Sequence, residues 1–308
     1  MVDCCREPSS VPADARVERR VMSDREEARF PLSVVILAKN ESINIDRCVR
    51  AVSWCDDVVV IDDGSVDGTA EMAIQAGARV VQHRFESFAK QRNWAILNAG
   101  LRHPWSLHLD ADEVMTPELR REISEALRIV SPETVGFRTC RKTMLNDRWL
   151  RFSDGFPVWI MRVVRNGCAE FADSGHGEVA VPEVQGTMGT LNEPFLHYPF
   201  SKGLSDWIDR HNRYSTREAK LEFEGDRNWK WQALFSGDRA VRRRAQRHIS
   251  RRVPCRFLLR LLYQYVWKGG FLDGSAGWQF SWLMATYESW IVAKRKELER
   301  QSCKSSGR

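Results

Sequence analysis

Val58-Val59-Val60-Ile61-Asp62-Asp63-Gly64-Ser65-Val66-Asp67-Gly68-Thr69 is the stretch that decides the fold. Four consecutive β-branched residues read as a short buried strand, so the acidic, glycine-broken run after them lies at that strand's carboxyl end. Gly64 permits a tight turn there, and Asp67 or Thr69 can cap the helix that follows through Ala70–Ala76. Upstream, Ser33-Val34-Val35-Ile36-Leu37-Ala38 is a second apolar strand. Between the two strands, Ser42 can cap a helix carrying Ile43, Ile45, Cys48, Val49 and Val52. Downstream, Gly77 ends a helix and Arg79-Val80-Val81 forms a third strand. A helix over residues 88–99, a strand over Trp105–Asp110 and a helix opened by Pro117 and running to Ile129 complete the pattern. Strands alternating with helices predict a parallel sheet covered on both faces, with ligands bound beyond the carboxyl ends of its strands.

Outside this unit the pattern changes. Residues 1–29 are polar, mix charges and keep no period, which reads as a disordered tail. Beyond residue 134, strand-like runs at Val135–Thr139, Val158–Val164 and Glu178–Val181 stand among Gly and Pro, and read as an antiparallel extension laid over the sheet. From Ser201 the chain reads helical and rich in Trp. The organisation expected is a tail (1–29), an α/β unit (30–200) and a helical region (201–308).

Composition narrows the function classes. With 308 residues, 43% hydrophobic and 29% charged, the chain can bury a full core, which excludes a disordered or collagen-like protein. A net charge of +6 is mild for this length and argues weakly for nucleic acid. The eight cysteines show no C-x-x-C spacing and are scattered, so free thiols in a reducing compartment are expected. The N-terminus carries Asp3, Arg6 and Glu7 without an apolar core segment, so no signal peptide is expected. No run of 18 apolar residues occurs, so no spanning helix is expected and a cytoplasmic location is the default.

Three polar clusters fall at strand ends: Asn40-Glu41, the Asp62–Thr69 run, and Asp110-Ala111-Asp112-Glu113. Residues i and i+2 of an extended segment share a side, so Asp110 and Asp112 would repel unless a cation sat between them. A hard divalent ion such as Mg2+ or Mn2+ takes carboxylate and phosphate oxygens together, which makes the pair a diphosphate-metal site. The competing reading is an ordinary acidic helix entrance. Asp62 or Asp63 can accept hydrogen bonds from a nucleobase or ribose; read alone, the run is also a turn with a cap.

Together these residues resemble glycosyltransferase family 2, through Ser33–Glu41, Val58–Thr69, Gln91-Arg92-Asn93 and Leu107–Glu113, and more loosely through Phe171–Glu178, Phe195–Tyr198 and Gly270–Gly277. Within the family the chain looks most like the lipopolysaccharide-core β-glucosyltransferase type. The resemblance implies an α/β GT-A nucleotide-sugar-binding fold, a Rossmann-like mostly parallel sheet, here with a helical, aromatic-rich, basic C-terminal extension. It implies an inverting, metal-dependent transfer from a nucleotide diphosphate sugar. On that reading Asn40, Glu41, Asp62, Asp63, Arg92 and Asp110 bind the nucleotide-sugar; Asp112, with Asp110 and His176, binds Mg2+ or Mn2+. The general base that deprotonates the acceptor is Glu178, then Asp173. Related enzymes often carry His directly followed by Glu here, whereas Gly177 separates His176 from Glu178. His197, before Tyr198-Pro199, reads as a structural histidine, and Arg92 also reads as a solvated helix arginine.

Residues 239–272 hold nine arginines and one lysine with no Asp or Glu, so the remainder of the chain sums to a negative charge. Beside them, Phe257, Leu258, Leu259, Leu261, Leu262, Tyr265 and Val266 fall at helical spacing, followed by Trp278, Phe280, Trp282, Tyr287 and Trp290. Gly269-Gly270 and Asp273-Gly274 read as turns between two helices. Basic residues beside amphipathic aromatic helices suit an anionic membrane surface, and the rival reading is a solvated face over a domain core. The function expected is transfer of a sugar to a cell-surface glycan acceptor (lipopolysaccharide core or exopolysaccharide unit), peripheral to the inner membrane through residues 239–293. Two rivals are a polyprenyl-phosphate glycosyltransferase and a non-catalytic basic adaptor binding membranes or RNA. A nucleotidyltransferase is disfavoured because Ala38-Lys39-Asn40-Glu41 replaces a glycine-rich phosphate loop.

Overall fold

The computed structural model describes residues 29–174, 177–182, 186–225, 237 and 255–306. All but the last residue of the tail expected over 1–29, together with His176 and the arginines from 239 to 252, lie outside the described residues.

The first strands form as their composition requires. Strand β1 (Phe30–Ala38) lies between β2 (Cys55–Asp62) and β4 (Trp105–Asp110), parallel to both, and β3 (Arg79–Gln82) adds parallel to β2. Val34, Val35 and Ile36 are fully buried because α1 (Ile45–Ala51), α2 (Thr69–Gln75) and α3 (Phe88–Asn98) cover the sheet. Each such side chain contributes roughly 1.5–3 kcal/mol over leaving it in water. Helix α4 (Pro117–Arg128) begins at the expected proline, with the Thr116 hydroxyl accepting the Leu119 N–H at 3.2 Å. One start differs. Asn44, not Ser42, precedes α1, because the chain first makes a turn closed by the Ile45 N–H on the Glu41 carbonyl at 2.8 Å; Ile43 is left exposed.

The second half of the sheet corrects the expected overlay. The strands after residue 134 do not lie across the sheet; they extend it. The order is β3-β2-β1-β4-β8-β6-β11-β5, with β5 (Glu113–Val114), β6 (Thr134–Leu145), β8 (Val158–Arg165) and β11 (Thr187–His197); β7 (Arg148–Trp149) pairs with β6. β8 joins β4 and β6 antiparallel, whereas β11 runs parallel to β6. Only β9 (Ala169–Ser174) and β10 (Gly177–Pro182) form a separate two-stranded hairpin, packed on α3. The sheet therefore has a parallel half and a mixed half, with four parallel and three antiparallel pairings along its path.

The C-terminal elements are α5 (Leu204–Gly225), α6 (Arg256–Leu262), a π turn (Tyr263–Trp267), a 3-10 turn (Gly270–Asp273) and α7 (Gly274–Ser306). The glycines fall at the expected turns: Gly269 and Gly274 have φ of +76° and +67°. Gly277 packs against the Gly270 backbone so closely that a Cβ would collide with the Gly270 carbonyl oxygen. Phe280 and Ala276 of α7 share a core cluster with Leu145 and Leu150, which ties this region to the sheet. Among the described residues no helix is long and apolar enough to cross a membrane.

Candidate active site

The loops after β1 and β2 brace each other before they can meet a ligand. Asn40 takes a left-handed conformation (φ +50°), its N–H donates to the Ser65 hydroxyl at 2.8 Å, and its amide oxygen accepts the Val66 N–H at 3.0 Å. The Glu41 N–H donates to the Thr69 hydroxyl at 2.8 Å and the Ser42 N–H to the Asp67 carboxylate at 3.0 Å. Gly64, at φ +68°, makes the turn that carries Ser65 back over Asp62. Asp62 is fully buried, and its carboxylate accepts both the Ser65 N–H, at 3.0 Å, and the Ser65 hydroxyl. Asp63 is the more open of the two acids. It accepts the Phe85 N–H at 2.9 Å and pairs with Lys39 at 3.2 Å. Glu41 pairs with Lys202 and accepts from Asn44 at 2.7 Å, and burial nonetheless raises its carboxyl above the usual range.

At the end of β4 four charged side chains interlock. Arg92 reaches from α3 to the Asp110 carboxylate at 2.6 Å, fully buried and tilted over the Phe171 ring; it is not a solvated helix arginine. Arg162, from the middle of β8, reaches the other Asp110 oxygen at 3.1 Å and also binds the buried Glu113 carboxylate. Burial opposes the charge on Asp110, but the two guanidiniums outweigh it and lower its carboxyl. Burial raises Glu113 despite Arg162. Below them, burial and the charges of Arg92 and Arg162 push the His108 imidazole well down, leaving it a neutral partner of Ser106 at 2.9 Å.

Asp110 and Asp112 do not share one side of an extended strand. β4 stops at Asp110, Ala111-Asp112 form a turn, and Glu113 enters β5. The Glu113 carboxylate accepts the Asp110 N–H at 3.1 Å, which closes the turn. Asp112 consequently faces another element. The end of β11 pairs antiparallel with β5, with His197 opposite Glu113, and this sets the His197 Nε2 3.6 Å from the Asp112 carboxylate. Burial works against the Asp112 charge, yet His197 and then Arg210 hold its carboxyl down to about 2. The next residue locks the turn, its Tyr198 N–H donating to the Asp112 carbonyl at 2.9 Å.

Acidic loops at the ends of β1, β2 and β4 thus share one edge of the parallel half-sheet, where the ligand sites of such sheets lie. The family model for glycosyl transferase family 2 matches residues 33–153, which carry all three loops. An uncharacterized glycosyltransferase of Rickettsia felis is 34% identical over 199 residues, covering 61% of this chain and 69% of that protein. The chain belongs to glycosyltransferase family 2. A lipopolysaccharide core biosynthesis glycosyltransferase, LpsC of Rhizobium meliloti, is 26% identical over 83% of this chain and 91% of its own length. Among solved structures, glucosyl-3-phosphoglycerate synthase from Mycobacterium tuberculosis in complex with Mn2+, UDP and phosphoglyceric acid is similar at 16% identity, covering 62% of this chain and 77% of that chain with a TM-score of 0.43.

As a family 2 glycosyltransferase, the chain gathers most of the residues named from sequence, and adds two. Arg162 was not anticipated: an arginine in a Val-rich strand carries no local mark, and only the pairing of β8 beside β4 gives it a role. His197 read as structural because nothing in Phe195–Tyr198 reveals that this strand ends beside Asp112; a histidine closing a strand was the available signal. The two base residues named from sequence, Asp173 and Glu178, are direct register partners across the β9–β10 hairpin. Asn93 fastens that hairpin to α3 through two 2.9 Å bonds with the Phe171 backbone.

Proposed function

We propose that this glycosyltransferase moves a sugar, with inversion, from a nucleotide diphosphate sugar to a lipid-anchored glycan acceptor of lipopolysaccharide-core or exopolysaccharide type, working peripherally at the cytoplasmic face of the inner membrane. The observation that carries the reading is the pair Asp112 and His197 at the strand edge, beside an Asp110 already neutralised by two arginines. The likeness to the LpsC transferase over most of both chains supports the acceptor class.

A divalent cation fits this donor set. A carboxylate oxygen and an imidazole nitrogen converge from two elements, and a mixed oxygen–nitrogen pair suits Mn2+ better than Mg2+. Among the described residues no cluster of three or more His, Cys, Asp or Glu gathers, so phosphate oxygens of the donor and water would complete the shell. The bound cation would act as a Lewis acid on the leaving diphosphate. Asp110 is proposed to orient the ribose and diphosphate, since both its oxygens are held by Arg92 and Arg162, rather than to serve as a principal metal ligand. Asp63 and the Asn40-Glu41 loop are proposed to hold base and ribose, with Asp62 fixing the loop through Ser65. The general base is assigned to the β9–β10 hairpin, Glu178 first and Asp173 second, accepting the proton of the attacking acceptor hydroxyl.

Thermal shift with UDP-, GDP-, ADP- and dTDP-sugars, each with Mn2+ and with EDTA, tests the donor site. A ligand at 100 times its dissociation constant stabilises by about 2.7 kcal/mol. A shift with one nucleotide that disappears in EDTA is expected; an equal shift in EDTA would overturn the metal assignment. Transfer to bare polyprenyl phosphate in preference to a core glycan would overturn the acceptor class.

A further inference from the structure

In the segment from Arg256 to Trp282 several polar side chains turn inward while large apolar ones stand in solvent. Gln264 and Asp273 are buried, and Arg256 is half-buried. Arg256 bridges Glu222 of α5, at 2.9 Å, and Glu288 of α7. The Gln264 amide donates to the Ser153 carbonyl at 2.7 Å. Asp273 accepts the Ser153 N–H at 2.8 Å and the Ser153 hydroxyl at 2.7 Å, and the Phe152 N–H at 3.1 Å. Ala276 and Phe280 join the core, but most of the segment's large apolar residues stand in solvent. No residue of α6 is buried. Leu258, Leu259, Leu262, Val266, Trp267 and Leu272 are all exposed, Trp267 by 85%. Trp278 and Trp282, one turn apart at the start of α7, extend the same surface.

We infer that this surface is the membrane-docking element of the protein, seating its leucines and tryptophans in the interface of an anionic bilayer; the inference rests on the membrane association proposed above and names the surface that makes it. Three observations select this occupant. First, charge: between Cys255 and Tyr287 the only acid is Asp273, and it points inward. In sequence the segment is preceded by Arg239–Arg252, seven arginines without an acid, a basic run of the kind that anionic headgroups attract. Second, chemistry: exposed Trp beside exposed Leu is the composition of an interfacial segment, with indoles at headgroup depth and aliphatic chains below. Third, geometry: none of the described helices spans a bilayer, and α6 with its π turn is short and pinned from beneath by Arg256, Gln264 and Asp273, so it lies on a surface rather than crossing it. A second copy of the chain is the rival occupant. A two-fold contact would set two copies of a segment whose only acid, Asp273, points inward against each other with like charge, which opposes it.

Co-sedimentation of the full chain with vesicles of phosphatidylethanolamine plus phosphatidylglycerol, and with phosphatidylcholine alone, is the test. The expected result is binding to the anionic vesicles, weaker to the neutral ones. Leu262→Glu should lower it by at least about tenfold, because a decade of affinity is less than one buried leucine contributes. Ile129→Glu, at an exposed apolar residue just past the C-terminus of α4, should change nothing. In a second measurement, Trp267→Phe should remove part of the fluorescence blue shift seen on adding anionic vesicles. Wild-type binding that survives Leu262→Glu, or no binding by the wild type, overturns the inference. So does light scattering that shows a dimer which Leu262→Glu converts to monomer. The donor-dependent thermal shift should be the same in all three variants; its absence from the wild type would count against the donor site and leave the docking result readable.

Discussion

Strand β1 and helix α6 are built from nearly the same stock. Ser33–Ala38 and Phe257–Leu262 are six-residue runs with five apolar residues and one polar one. In β1 every residue of the run is buried, including Ser33, whose hydroxyl donates to Asp57 at 2.7 Å. In α6 no residue is buried, and the pairing polar group, Arg256, is the one turned inward. Apolarity states that a segment leaves water; it does not state whether the cover comes from the same chain. In β1 the cover is supplied by three helices that the local pattern itself encodes. α6 is held instead by the Arg256 ion pairs to Glu222 and Glu288 and by its contact with α7.

The contrast can be broken by substitution. The largest effect should come from Arg162→Ala, which leaves the buried Glu113 carboxylate without its guanidinium partner and Asp110 with Arg92 alone; urea unfolding should show a loss of about 3–5 kcal/mol. Ile36→Ala should cost about 2–5 kcal/mol, whereas Leu262→Ala should stay within about 0.5 kcal/mol, and comparable losses at the two positions would erase the distinction drawn here. Asp112→Ala should leave the melting temperature of the free protein nearly unchanged but lower turnover by about 100–1000-fold, the scale of one lost electrostatic stabiliser. Steady-state rates on purified protein check this, and full activity would remove Asp112 from the chemistry. The smallest effect concerns Asp67. Its carboxyl is held at about 2, below the ordinary 3.8: burial opposes this, and hydrogen bonds from Thr69 and Ser42 together outweigh it. A lowered folded-state value means stabilisation that is whole above about pH 4 and fades as pH falls towards 2. Asp67→Asn should flatten that acid limb by some tenths of a kcal/mol in unfolding curves taken across it.

The same contrast explains what could be read beforehand. β1, β2 and β4 were legible because a parallel strand buried on both faces is an unbroken apolar run, and the acids that end those runs fall at one edge by topology alone. β11 was not, for its sequence Thr187–His197 holds Gly189, Asn192 and Pro194, alternates poorly, and pairs with β6 through two register breaks. Missing β11 meant missing the neighbour of Asp112. The i, i+2 argument for Asp110 and Asp112 failed for a different reason: the buried Glu113 carboxylate draws the chain into a turn, and a turn made by a side chain three residues on leaves no trace in strand periodicity. Arg162 and Arg92 look alike in sequence to any surface arginine; their burial depends on carboxylates from another strand.

Asp273 carries a consequence for how the chain is made. It satisfies the backbone amides of Phe152 and Ser153, residues synthesised about 120 positions earlier. At about 5–20 residues per second on the ribosome, those amides wait some 6–24 s for their carboxylate. Once β11 has been made, at residue 197, every strand of the sheet exists while the loop behind β7 still waits for this carboxylate. The emergence of a single aspartate, directly before the Gly274 at which α7 begins, therefore sets when this loop is satisfied.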